Sequence, residues 1–181
     1  MLAGSFLSAQ PILDLGVESG YQIVRDENLT TKLQYTLLFT ANPGVRIGDA
    51  YRLDLTNRLL VTDWSSADDG FIYNAYWGTS TGIRVGRYVT GSVSRIPAVD
   101  AVLATLLLSG NWIHYRNTWL VSFYPSAALS VEALHSIGEG GIFWSAGAAM
   151  EFHLRKDMDV SMAATVSVRI GYDLSIRREA P

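Results

Sequence analysis

The sequence predicts an all-β protein: a single domain, residues 1–181, folded as an antiparallel up-and-down β-barrel of about eight strands. Three observations predict this class. Apolar residues recur at every second position over long stretches, turn-forming residues separate these stretches, and the composition is unusually apolar. The charged fraction is 17% and the mean hydropathy is +0.17, whereas an average soluble domain carries about 25% charged residues. No stretch approaches the ~20 consecutive apolar residues of a membrane helix.

The composition also excludes several classes of function. The chain has no cysteine, which excludes disulfides, cysteine zinc sites and thiol catalysis. A net charge of −3 without a basic run argues against nucleic acid as a partner, because that affinity comes largely from Lys and Arg neutralising phosphates. The aromatic content of 11% argues against disorder.

The C-terminal third carries the strongest strand signal. Residues 158–176 alternate strictly between apolar and other residues, a period of two that no helix matches. Residues 142–155 alternate in the same way, and Lys156, Asp157 and Met158 form the predicted turn where the two runs meet. This pattern predicts a long β-hairpin.

The N-terminal part shows the same period. Residues 13–23 and 33–39 alternate, and the polar segment Arg25–Asn28 separates them. Residues 1–10 form a predicted N-terminal tail and a candidate signal-peptide remnant, although they lack a basic start and a full apolar core.

Five further strands are predicted in the middle of the chain, and the expected total is eight or nine. Their predicted ranges are 49–61, 70–78, 82–95, 101–116 and 118–135. Turn signals between predicted strands include Asn42–Gly44, Thr79–Gly82, Ser109–Asn111 and Gly138–Gly141. Residues 99–108 are compatible with a strand, a short buried helix or a hydrophobic loop.

The two faces of the predicted strands differ in composition. One face carries aromatic residues near many strand ends: Tyr21, Tyr35, Phe39, Tyr51, Tyr73, Trp77, Trp119, Phe123, Trp144 and Tyr172. The other combines small residues, such as Gly16, Gly86 and Gly147, with sparse charges of both signs: Asp14, Glu18, Lys32, Arg52, Asp54, Arg84, Glu132, Glu151, Arg169 and Asp173. Small residues and paired charges suit a narrow barrel interior, and aromatic girdles suit a membrane interface.

Over residues 11–177 this pattern resembles the small outer-membrane β-barrel proteins of Gram-negative bacteria. The resemblance implies an outer-membrane location, an interior that is plugged or forms a narrow pore, and a structural or interaction role through loops and lipid contacts. Membrane lipid, partner proteins or further copies of the chain are the expected partners. No cofactor or metal is expected, because the three histidines show no metal-ligand spacing.

Two alternative functions remain open at this point. The first is a soluble all-β structural subunit of a virion, phage tail or ring assembly, which would bury the apolar face between subunits. A soluble barrel or sandwich would fit the same alternation. The second is an outer-membrane lipid-modifying hydrolase.

The candidate catalytic residues for the hydrolase are Glu151, His153 and Ser161. If Arg155 pairs with Asp159 across the C-terminal hairpin, His153 faces Ser161 and Glu151 faces Ala163 on the same side. These are the residue types of a base-activated hydroxyl nucleophile. The alternative interpretation is a hydrogen-bonded barrel interior without reactivity.

A final group of arginines is predicted near strand ends or in turns, where they would contact anionic lipid head groups or remain solvated at the rim. The group consists of Arg25, Arg46, Arg58, Arg87, Arg95, Arg177 and Arg178.

Overall fold

The structure is a computed structural model that describes residues 9–26, 31–63, 76–89, 99–115, 121–138, 141–154 and 160–173. Side chains near several strand ends lie outside this description: those of residues 22–26, 31–35, 62, 63, 76, 113–115, 121, 122, 153, 160 and 161. Among the described residues, no helix is long and apolar enough to cross a membrane.

Eight β-strands make up the described part of the chain. They are β1 (Ala9–Asp26), β2 (Thr31–Ile47), β3 (Tyr51–Asp63), β4 (Tyr76–Val89), β5 (Ala101–Tyr115), β6 (Val121–Ile137), β7 (Ile142–His153) and β8 (Val160–Asp173). Each strand pairs antiparallel with the next, and β8 pairs with β1, which closes the barrel. The predicted up-and-down barrel of about eight strands is confirmed.

The barrel has two ends, which we name by the chain termini. The terminal end is where the chain enters β1 and leaves β8, and it also carries the β2–β3, β4–β5 and β6–β7 connections. The distal end carries the other four connections. Gly48 (φ 57°) in the β2–β3 turn and Gly138 (φ 65°) after β6 adopt a left-handed conformation, which side chains with a Cβ rarely adopt.

Several predicted strand boundaries in the middle of the chain are wrong. The predicted strands 70–78 and 82–95 contribute to one strand, β4, and Thr79–Gly82 lies inside it. Asn42–Gly44 lies inside β2 and Ser109–Asn111 inside β5, so residues 101–108 are strand rather than helix or loop. Glycine marks a close approach here: a Cβ at Gly44 or Gly82 would overlap the backbone of the neighbouring strand.

The alternation predicted from the sequence separates the interior of the barrel from its outer wall. On β8, Val166, Val168 and Ile170 point outward and are 56–68% exposed, whereas Ala163 and Arg169 point inward and are at most 4% exposed. The same division holds on the other strands, where large apolar side chains dominate the exposed set and polar or charged side chains dominate the buried set. The apolar face therefore covers the outside of a closed barrel.

Candidate functional site

The interior holds a cluster of charged side chains around Asp14, which we name the arginine cluster: Asp14, Arg52, Asp54, Arg84 and Arg169. Asp14 Oδ2 lies 3.2 Å from Arg52 Nη2 and 3.3 Å from Arg84 Nη2, and Asp14 Oδ1 accepts a hydrogen bond from Arg169 Nη2. All five residues are buried.

Asp54 completes the cluster by joining two of its arginines. Its Oδ2 accepts a hydrogen bond from Arg52 Nε at 2.6 Å, and its Oδ1 accepts one from Arg84 Nε at 2.8 Å. Asp14 belongs to β1 and Arg84 to β4, which are not neighbouring strands, so their ion pair crosses the lumen. The predicted internal charge network is therefore present in the described part of the interior.

Two glycines make room for these arginines. A Cβ at Gly16 would lie 2.8 Å from Arg169 Nη2, and a Cβ at Gly86 would lie 2.9 Å from Arg52 Cγ. Neither contact is compatible with the observed side-chain positions. The arginine cluster therefore requires small residues beside it, which agrees with the small residues predicted for the inner face.

Towards the distal end the interior changes from arginine pairs to hydroxyl and amide groups centred on Ser126. Ser126 Oγ donates to Glu151 Oε1 at 2.6 Å and accepts from Asn111 Nδ2 at 2.8 Å. Ser109 Oγ lies 3.0 Å from Ser126 Oγ, and Arg58 Nη2 lies 4.0 Å from Glu151 Oε2. We name these five residues the Ser126 cluster.

The proposed catalytic role of Glu151, His153 and Ser161 stays a prediction. Glu151 pairs with Ala163 in the register that the hypothesis requires, and Glu151 points inward. The side chains of His153 and Ser161 lie outside the described residues. Ser126 and Arg58 are among the partners of Glu151, and neither was predicted to lie beside it.

The arginines that were predicted near strand ends or in turns differ in where the structure places them. Arg46 lies near the terminal end of β2, and its guanidinium carbon is 5.3 Å from the ring centre of Tyr88. Arg87 lies near the terminal end of β4, outward, 5.8 Å from the Tyr51 ring centre. Arg58 was placed wrongly, because it lies in the interior, where its Nη2 donates to Ser80 Oγ at 3.1 Å. The side chains of Arg25, Arg95, Arg177 and Arg178 lie outside the described residues.

The described residues contain no group of three or more His, Asp or Glu side chains that would hold a metal ion. The hydroxyl and amide members of the Ser126 cluster were not predicted from the sequence, because Ser and Asn occur on both faces of strands. A signal existed in the alternation: Ser109 and Asn111 both lie in phase with inward Leu103 and Leu107 on β5.

The same fold occurs in a protein of known structure. The chain is similar to the crystal structure of Neisserial surface protein A, with a TM-score of 0.61, 12% sequence identity, and coverage of 91% of this chain and 98% of that chain. This chain shares its fold with that surface protein. The sequence matches no protein-family model and no curated protein.

Two further solved structures align over most of their length with lower scores. The attachment invasion locus protein Ail of Yersinia pestis has a TM-score of 0.47, 9% identity, and coverage of 91% of this chain and 99% of that chain. A major outer membrane protein of Thermus thermophilus has a TM-score of 0.42, 8% identity, and coverage of 91% and 100%. The match to Neisserial surface protein A confirms, at the level of the fold, the predicted resemblance to small bacterial outer-membrane barrels.

Proposed function

We propose that this chain resides in a bacterial outer membrane as a β-barrel with a plugged lumen, and that it has a structural or interaction role there. The observation that carries this proposal is the outer wall. Large apolar side chains from all eight strands are exposed on it, among them Leu15, Leu55, Ile83, Leu129 and Val168. Such a surface is stable against lipid and unstable against water.

The strand lengths support a membrane-spanning role. A tilted membrane strand needs about 9–11 residues, and the shortest strand here, β7, has 12. Outward Tyr51 near the terminal end and Tyr21 and Trp77 near the distal end are 46–58% exposed. Aromatic side chains at both ends of the wall suit the two lipid head-group regions.

The arginine cluster supports a plugged lumen. Eight strands enclose an interior just wide enough for side chains to fill, and the ion pairs of Asp14 with Arg52 and Arg84 join non-neighbouring strands across it. Because these charges are mutually paired, an ion that entered the lumen would have to separate them. Interactions with other molecules are then left to the lipid-facing wall and to the segments that connect the strands.

Electrophoresis tests the membrane proposal. Protein extracted in mild detergent is expected to run as a compact band in SDS without boiling and to shift on heating, because a closed barrel resists SDS. Sedimentation of the bacterial outer-membrane fraction tests the location separately. A protein that remains in plain buffer as a large particle, without a heat shift, would contradict the proposal and favour a soluble assembly subunit.

Conductance tests the plugged lumen. Insertion of the wild-type protein into planar lipid bilayers is expected to give no steady channel current, and Asp14→Ala/Arg84→Ala is expected to give larger currents than the wild type. A wild-type pore with stable conductance would contradict the plug while leaving the membrane location intact.

A further inference from the structure

The outer wall carries a single charged side chain, that of Arg87 on β4, among the strand residues whose side chains the structure describes. Every other Asp, Glu, Lys or Arg side chain in that set points into the barrel. The outward neighbours of Arg87 on the same strand, Val85 and Val89, are apolar and 43–50% exposed. Arg87 is therefore an exception to the separation between a charged interior and an apolar wall.

Arg87 lies near the terminal end of the wall rather than at its middle. It is the third residue from the end of β4, which ends at Val89. It pairs with Tyr51, the first residue of β3, whose side chain also points outward and is 48% exposed. Tyrosine is enriched at the level of lipid head groups, and an arginine at that level keeps its charged group in the polar region of a bilayer. The pair therefore suits the head-group region.

The Arg87 guanidinium contacts an aromatic ring but no hydrogen-bond acceptor within the described part of the chain. Its Cζ lies 5.8 Å from the centre of the Tyr51 ring. No described carboxylate lies within ion-pair distance of it, and the residue paired with it on β5 is Ala104, which has no polar side chain. A cation–π contact leaves the five N–H donors of a guanidinium without an oxygen acceptor. These donors are available to a ligand outside the chain.

We propose that Arg87, together with Tyr51, binds the phosphate group of an anionic phospholipid at the terminal end of the barrel. This inference rests on the proposed membrane location. The planar guanidinium donates two parallel hydrogen bonds to two phosphate oxygens. The Tyr51 ring holds the guanidinium at the head-group level. Leu53 and Val85, which pair with each other one step closer to the middle of the wall and are 41% and 50% exposed, contact the acyl chains.

A lipid fits this place better than a free anion does. A soluble phosphate would gain only the contact with Arg87, because the described wall offers no second cation, and salt weakens an exposed charge contact of this kind. An anionic lipid makes the same contact and also buries its chains against Leu53 and Val85. The apolar and electrostatic contributions then add, as they do for other groups held at a membrane surface.

Native mass spectrometry measures the bound lipid directly. The wild type and the variants are released from vesicles that contain phosphatidylglycerol, which is anionic, and phosphatidylcholine, which is zwitterionic. Arg87→Gln removes the guanidinium and keeps a polar side chain. Arg46→Gln is the matched control, because it makes the same charge change near the same end of the barrel, whereas Arg46 points inward.

The wild type is expected to retain phosphatidylglycerol in preference to phosphatidylcholine. Arg87→Gln should reduce this retention roughly tenfold, as expected for the loss of charge-assisted hydrogen bonds. Tyr51→Leu should reduce it roughly threefold through the loss of the cation–π contact. Arg46→Gln should leave it unchanged. Arg87→Lys should restore part of the retention lost in Arg87→Gln, because lysine keeps the charge but not the paired donors.

Three results would overturn the lipid site: wild-type retention in Arg87→Gln, an equal loss in Arg46→Gln, and no preference for the anionic lipid. Displacement of the bound lipid by inorganic phosphate would instead assign Arg87 to a soluble anion. A lipid-free dimer that is lost in Arg87→Gln would assign it to a second copy of the chain.

The heat shift in SDS confirms that each variant remains a folded barrel. If the wild type fails to enter vesicles or shows no heat shift, the membrane proposal itself fails and the lipid site with it. If the wild type enters vesicles and Arg87→Gln retains lipid as the wild type does, only the lipid site fails.

Discussion

The inner and outer faces of the same strands differ in almost every chemical respect. On β8, Arg169 points inward with 4% exposure and bonds to Asp14, while the adjacent Val168 and Ile170 point outward with 56% and 62% exposure. A soluble barrel has the reverse arrangement, with apolar side chains inside and charges outside. The alternation of residues therefore identifies the strands, whereas the composition of the outer face indicates whether water or lipid surrounds the barrel.

The largest expected effect comes from removing the centre of the inner network. Asp14→Ala leaves Arg52, Arg84 and Arg169 buried with one carboxylate partner fewer, and such a loss costs about 3–5 kcal/mol. Urea unfolding of the protein in lipid vesicles, followed by tryptophan fluorescence, measures the free energy. Asp49→Ala is the control, because Asp49 is 99% exposed and an exposed pair contributes at most about 1 kcal/mol. Equal losses in the two variants would contradict the account.

A charge on the outer wall should have the next largest effect. Val168→Arg near the middle of β8 should reduce the free energy of unfolding in vesicles by about 2–4 kcal/mol, because the guanidinium would enter hydrocarbon. Val89→Arg, at the terminal end of β4, should cost only about 0–1 kcal/mol. If Val168→Arg has no effect or improves solubility in buffer, the wall faces water.

A larger side chain in place of Gly86, beside Arg52, should have a smaller effect on the free energy of unfolding. In Gly86→Val the new Cβ would lie 2.9 Å from both Arg52 Cγ and Leu103 Cδ1, and overpacking of this kind costs about 1–3 kcal/mol. Ala104→Val, an outward change on the neighbouring strand β5, is the matched control and should leave the unfolding free energy nearly unchanged. A neutral Gly86→Val would show that the interior is not tightly filled.

The smallest effect is expected in the Ser126 cluster. Ser126→Ala removes the donor to Glu151 Oε1 and the acceptor of Asn111 Nδ2. A net loss of about 1.5 kcal/mol is expected, at the lower end of the range for a hydrogen bond to a charged group, because Asn111 Nδ2 also donates to Tyr124 O and keeps a partner. The same urea unfolding measures this loss. A loss as large as that of Asp14→Ala would instead place the main network here.

The sequence predicts the fold class and the identity of the two faces, because both follow from local alternation. Asp14, Arg52 and Arg169 were assigned to one inner face without knowledge of their partners. The partners themselves depend on register across non-neighbouring strands, which alternation does not contain. The Asp14–Arg84 pair and the interior position of Arg58 therefore required the three-dimensional structure.

Strand boundaries were less predictable than strand faces. Gly44 and Gly82 read as turn residues in the sequence, yet both lie within strands where a neighbouring backbone leaves no space for a Cβ. Pro43 also reads as a turn residue but lies within β2. It points outward, and the pairing of β2 with β3 is interrupted between Ala41 and Gly44. Proline lacks the N–H that a continuous ladder requires.

The central claim is that the apolar outer wall faces lipid, and spin-label accessibility tests it most directly. Single cysteines at Val166, Val168 and Ile170 carry the label in vesicles, and Asp49→Cys in the β2–β3 turn serves as the water-exposed reference. The account predicts that oxygen, which concentrates in lipid, relaxes the three wall labels strongly, while a water-soluble nickel chelate relaxes only the label at Asp49. If the chelate reaches position 168 as readily as position 49, the wall faces water and the account is wrong.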